Sequence, residues 1–306
     1  MKSTTFQKIL KFIIFLIFPI AGFSQDSIKK IENDLVDNFN KIRTSGKAII
    51  TRDYSFDSSN ERYFYVVLKK YYNDSSSHIR FLSRQLIIKN VIKSHDSLLK
   101  QAVVADLIDD ISSSESSTSS FPYLVLDKFM DSDFSDSTRH KMVSMFDQVR
   151  DRRKYLLLCG RLNIQELLPK VRVLAQKLDS SKRNWWNTEA FYASLALTRL
   201  GNNEKISILI SATESIKDTI LVVTKLLEYL AYTKNPASFQ FLQKYLDVNT
   251  AKLSGGRDFV GYEVNQYAAA YLAEYMDNFP LKKEDAPYSQ KDIEIARAFM
   301  RQKFGN

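Results

Sequence analysis

Apolar positions in this chain recur at helical intervals almost from end to end. Ile28, Ile31, Leu35 and Phe39 fall on one helical stripe, as do Leu99, Val103, Leu107 and Ile111. Residues 63–72 and 79–92 are further apolar helix candidates, the first ended by Asn73-Asp74-Ser75-Ser76-Ser77. Beyond residue 120 the pattern predicts helices near 123–130, 138–149, 155–160, 165–178, 188–200, 204–212, 217–232, 236–246, 259–276 and 290–303. The last opens on Ser289-Gln290-Lys291-Asp292, the spacing of a capping box with Asp in place of Glu. Gly160 and Gly201 mark helix ends where the chain needs positive φ. Residues 48–54 stand apart as a short strand or extended connector. With only eight Gly and six Pro, turns are too scarce for a β-sandwich or barrel. The expected fold class is all-α.

In the second half the polar breaks recur. Leu158-Cys159-Gly160-Arg161-Leu162-Asn163 leads into Glu166-Leu167-Leu168. Leu197-Thr198-Arg199-Leu200-Gly201-Asn202 leads into Glu204-Lys205-Ile206. Leu230-Ala231-Tyr232-Thr233-Lys234-Asn235 leads into Ala237-Ser238-Phe239. Setting Leu168, Ile206 and Phe239 in register gives spacings of 38 and then 33 along the chain. A period in that range signifies stacked supersecondary units.

Leu200-Gly201-Asn202 followed by Glu204, Ile206 and Leu209 resembles a HEAT repeat, of the armadillo-type helical class. Leu162-Asn163 with Glu166, Leu168 and Val171 resembles it with the Gly displaced to 160; Thr233-Lys234-Asn235-Pro236 lacks the Gly. The likeness covers about residues 155–246 and extends more loosely over 78–155. It implies an α-solenoid of stacked antiparallel helix pairs, a scaffold or recognition role, and no catalytic residues. The spacing is shorter than the roughly 40–47 of that class and nearer the 34 of tetratricopeptide repeats, so a tetratricopeptide-like stack is the alternative fold; its Trp, Gly, Tyr and Pro positions are not in register.

The organisation expected is a signal peptide over 1–24, a helical region over 25–111, a serine-rich loop over 112–120, and the HEAT-like region over 121–306. Lys2, Lys8 and Lys11 precede an apolar run, and Gly22 and Ser24 suit a cut before Gln25. The run of about 12 apolar residues is short of the roughly 20 that span a bilayer. Cys159 is the only cysteine, so no lipid-attachment Cys follows the cut and no intramolecular disulfide forms. A periplasmic or secreted protein is expected. The formal charge is +9; nine less the three lysines of the signal leaves +6. That favours weak association with an anionic membrane surface and does not indicate nucleic-acid binding.

No catalytic motif stands out, and no cofactor or metal is expected. His78, His95 and His140 are dispersed among polar neighbours, and Asp131-Ser132-Asp133 lacks the Gly and Glu of a calcium loop. Three segments rise above background. Lys182-Arg183-Asn184-Trp185-Trp186-Asn187 sets both tryptophans beside two cations; adjacent side chains cannot both enter one core, so at least one indole belongs at a boundary. Ser254-Gly255-Gly256-Arg257-Asp258 opens an aromatic segment that continues through Tyr267, Tyr271 and Tyr275. Arg150-Asp151-Arg152-Arg153-Lys154 is a charge run. Trp and Arg are enriched at binding hot spots, so Arg183, Trp185, Trp186 and Arg257 are the candidate contacts to a protein partner. The competing expectation is an α/α-toroid enzyme or glycan-binding protein with an acidic, aromatic cleft.

Overall fold

The computed structural model describes residues 25–45, 56, 60–112, 121–248 and 263–305. These are all-helical, as expected, with no strand among the described residues. The signal segment, the 48–54 connector, the serine run from 113 and the Gly-rich segment with Arg257 lie outside the described residues. The chain forms two compact units, residues 1–138 and 139–306, divided inside a helix rather than in the serine run.

The first unit holds α1 (Gln25–Ser45), α2 (Glu61–Lys69), α3 (Ser77–Val91), α4 (Ser97–Ser112) and α5 (Phe121–Leu126). The α1 stripe buries Ile28, Leu35 and Phe39 of its four expected positions, with Ile31 half-buried and Ile42 buried one turn further on, and the α4 stripe buries all four of Leu99, Val103, Leu107 and Ile111. Buried Asn90 donates to the Leu86 carbonyl at 2.7 Å and accepts from the Phe56 amide at 2.9 Å, so its burial costs no unmet hydrogen bond.

Next come α6 (Asp136–Met145), which carries the division, α7 (Arg152–Arg161), α8 (Leu168–Ala175), α9 (Glu189–Arg199), α10 (Ile206–Glu214), α12 (Pro236–Leu246), α13 (Val264–Tyr275) and α14 (Gln290–Phe304). Between α10 and α12 lies α11, which runs as Thr219–Leu221, a π-helical Val222–Leu226 and Leu227–Tyr232. Helix α9 lies against α7 and α8 and is buried from Phe191 to Thr198. Its buried hydroxyls bond back one turn, Ser194 to the Ala190 carbonyl at 2.8 Å and Thr198 to that of Ser194 at 3.0 Å. The capping box at α14 is present: Ser289 Oγ accepts from the Asp292 amide at 3.2 Å, and Asp292 accepts from the Ser289 amide at 2.9 Å.

Helix punctuation differs from the sequence expectation at one glycine. Gly201 takes up positive φ, 94°. Gly160 lies inside α7, and the left-handed residue after that helix is Asn163, φ 53°; after α11 it is Lys234, φ 51°. In the first two ends the amides of Ile164 and Asn202 reach back to the Cys159 and Leu197 carbonyls at 3.1 and 3.0 Å, which satisfies carbonyls the helix leaves orphaned. The positions Asn163, Gly201 and Lys234 repeat the spacings of the apolar pattern set by Leu168, Ile206 and Phe239. Gly160 serves contact instead. A Cβ there would stand 2.3 Å from the Tyr232 hydroxyl and 3.1 Å from Ala196 Cα.

Within each unit several polar contacts fall at offsets between 31 and 37. In the first, Tyr63 donates to Glu32 and Arg43 pairs with Asp74, each at an offset of 31; Ser94 and Glu61 are offset by 33, and Arg62 and Asp96 by 34. In the second, Asn235 meets Asn203 at an offset of 32, Arg199 the Tyr232 carbonyl at 33, Arg153 Asn187 at 34, Gln165 the Leu200 carbonyl at 35, and Tyr192 Tyr229 at 37.

Candidate interaction surface

Both tryptophans lie in the 3-10 turn Trp185–Asn187 that feeds α9, after Asn184 in the left-handed region, φ 60°. Thr188 ends the turn as the α9 cap, accepting from the Phe191 amide. Consecutive residues of such a turn point apart, and the two indoles separate. Trp185 is 5 % exposed and meets the Phe191 ring edge-on at 5.3 Å. It belongs to the core, which removes it from the candidate partner contacts. Trp186 is half-buried, with the exposed Lys225 ammonium 5.4 Å from its ring centroid. Arg183 is exposed in the same connection.

The rest of this edge comes from neighbouring helices. The Tyr192 and Tyr229 hydroxyls meet at 2.9 Å and their rings cross edge-on at 5.4 Å. Burial, then the bond with Tyr192, pushes the Tyr229 hydroxyl above its ordinary pKa. The first turn of α7 supplies Arg153, which donates to Asn187 Oδ1 at 2.9 Å and pairs with Asp151 at 2.6 Å. That pairing holds the Asp151 carboxyl below the usual carboxylate range and the Arg153 guanidinium above its own. Arg152 pairs with Glu189, so the charge run from 150 is partly consumed in tying α7 to the α9 entry. Tyr229 and Lys225 are absent from the sequence expectation. Tyr192 and Tyr229 are 37 residues apart, whereas the step from Gly201 to Lys234 is 33 and aligns Tyr192 with Lys225, so laying successive repeats side by side would not have paired the two tyrosines.

A second polar cluster belongs to the first unit. Tyr65 donates to Asp106 at 2.7 Å, and Lys69 reaches the other oxygen of that carboxylate at 2.8 Å. One turn on, Asp110 accepts from two of the three nitrogens of Arg84 at 2.7 and 2.8 Å, and that guanidinium lies 4.7 Å over the Tyr72 ring. Burial raises the Tyr65 and Tyr72 hydroxyls. Each carboxylate is neutralised by a cation, so the cluster links α2, α3 and α4 by charge pairing. The i, i+4 spacing of Asp106 and Asp110 was its only trace in the sequence.

The remaining residues singled out by sequence fall as follows. His78, His95 and His140 are exposed. Asp133 is buried and accepts from the Met130 amide at 2.9 Å, capping its own short 3-10 turn. Tyr267, Tyr271 and Tyr275 are half-buried along one flank of α13, whose deepest positions are Val264, Ala268 and Leu272. Cys159 is fully buried, and burial pushes its thiol well above the ordinary range. Among the described residues, no three His, Cys, Asp or Glu side chains are grouped to hold a metal, and no helix is long and apolar enough to cross a membrane. No protein-family model, curated protein or solved structure matches this chain.

Proposed function

We propose that this chain is an exported, non-enzymatic helical-repeat scaffold of the HEAT-like class that binds a protein partner in the cell envelope. The observation that carries the reading is the recurring offset. Side chains meet at sequence offsets from 31 to 37 within both units, and the left-handed helix ends at Asn163, Gly201 and Lys234 follow a similar period. Hairpins that shield one another's apolar stripes produce this pattern, because each unit touches chiefly the next. Repeats of this kind leave long faces open to a large partner. The edge bearing Trp186, Lys225, Tyr229 and Arg153 supports recognition, since aromatic residues and Arg are enriched where proteins bind. The lysines and apolar run ahead of Gln25 support export.

Crosslinking with mass spectrometry in the native host tests the reading. A stoichiometric envelope protein attached to the chain, and recovery of a chain beginning at Gln25, are the expected results. Retention inside the cell, or no reproducible partner, refutes it.

A further inference from the structure

The Trp186 edge sorts its charges into spent and unspent. Glu189 holds Arg152, Asp151 holds Arg153, and Asp179 stands 3.7 Å from Lys182. Arg150, Lys154, Arg183 and Lys225 are exposed and form no ion pair among the described residues. Of the acids on α11, Glu228 is half-buried and already engaged, and exposed Asp218 caps the helix start, accepting from the Leu221 amide at 3.1 Å. The charge left over on this edge is therefore cationic, beside a half-buried indole and a tyrosine pair.

The helix that delivers Lys225 is also irregular there. Val222–Leu226 is π-helical, with Val222, Val223 and Leu226 buried and Lys225 exposed. Such segments are rare and frequent at functional sites. Ile220, 49 % exposed, adds an apolar side chain at the start of the same helix. Resting on the scaffold reading above, we propose that this edge seats an acidic segment of the partner protein, with carboxylates meeting Lys225 and Arg183 and an apolar side chain lying against Trp186. An anionic lipid surface fits less well. Lipid head groups are met by dense clusters of 4–8 Lys and Arg, whereas the four unpaired cations here only reach the lower end of that range and one of them, Lys225, lies over the Trp186 indole.

The test uses the chain from Gln25 to its end, titrated with a glutamate-rich peptide holding one central leucine. Two comparison ligands are the same peptide with glutamine for glutamate, and phosphatidylglycerol vesicles. The acidic peptide is expected to bind, to alter tryptophan emission, and to weaken with salt. Lys225→Glu and Arg183→Glu should each lower affinity about tenfold, with circular dichroism unchanged. Trp186→Phe should abolish the emission change, since Trp185 is buried. Equal binding of the glutamine peptide, indifference to Lys225→Glu, or binding of vesicles in place of the acidic peptide overturns the proposal. A photo-crosslinker at position 183 in the native host separates the two claims. A partner captured only from positions elsewhere in the chain leaves the scaffold reading standing and removes this one; no partner from any position removes both.

Discussion

Replacing Gly160 by alanine opposes two effects whose balance the structure decides. In an open helix interior, alanine is better than glycine by about 0.5–1 kcal/mol, because it has less backbone freedom to lose. Here the added methyl would stand 2.3 Å from the Tyr232 hydroxyl, 3.1 Å from Ala196 Cα and 3.3 Å from Arg199 Cβ. The hydroxyl donates to the Leu157 carbonyl at 2.5 Å, and Tyr232 is 7 % exposed. Overpacking a filled core costs about 1–3 kcal/mol, and a buried hydrogen bond lost costs about 1–3 kcal/mol. Both penalties come from one displacement, so they overlap rather than add, and the net effect is a loss of about 1–3 kcal/mol. Tyr232→Phe removes the obstructing oxygen. In that background Gly160→Ala should cost about 1 kcal/mol less, a coupling that a double-mutant cycle reads directly. Ala196 Cα is backbone, so the relief is partial. Denaturant unfolding followed by tryptophan emission suits the measurement, since both tryptophans report on residues 139–306. Stabilisation by Gly160→Ala alone, or an equal effect in both backgrounds, would refute the reasoning.

Gly201→Ala isolates the opposite cause: nothing lies within 4 Å of an added Cβ, but φ is 94°. Its expected cost of about 1 kcal/mol is purely conformational, and Gly201→Asn should recover part of it in the same unfolding assay. Arg297 is 8 % exposed and grips the Leu246 carbonyl with two nitrogens at 2.9 and 2.6 Å. Arg297→Ala should cost about 2–4 kcal/mol, and Arg297→Lys should restore only part, because an ammonium cannot reproduce the fork; full rescue by Lys would contradict this. Arg62 is hydrogen-bonded to Asp96, which holds that carboxyl below its ordinary value against the opposing effect of burial. A lowered folded pKa contributes stability that is complete above the unfolded value of about 3.9 and is lost as pH falls through the folded value. Arg62→Ala should raise the Asp96 pKa, seen by carboxyl NMR titration, and flatten the decline in stability below that pH; an unmoved pKa would count against the pairing.

The helices were legible because their apolar stripes are local. Leu99, Val103, Leu107 and Ile111 select a buried face by spacing alone, and each of them is buried. The helix ends were legible as positions but not as residue types. Glycine is the usual marker of positive φ, yet Asn163 and Lys234 hold that conformation in two of the three ends. The end is set by where the stripe runs out, at Leu162 and Leu200, and by the return of amides to orphaned carbonyls; an Asn tolerates the geometry and a Lys endures it at a cost of about 1 kcal/mol. Gly160 differs from its sequence expectation for a related reason. What requires it is the approach of Tyr232, two helical breaks further along the chain, and no local window contains that contact. The candidate surface divides along the same line. That two adjacent indoles must part was readable from backbone geometry, whereas which one stays outside depended on the turn after Asn184. The partners of Trp186 depended on α11, where one π-helical turn carries Lys225 to the ring. A repeat period therefore predicts which side chains become neighbours only where the helices keep α geometry or where their departures from it are known; Tyr192 and Tyr229, 37 apart against a local step of 33, meet beyond the π-helical segment.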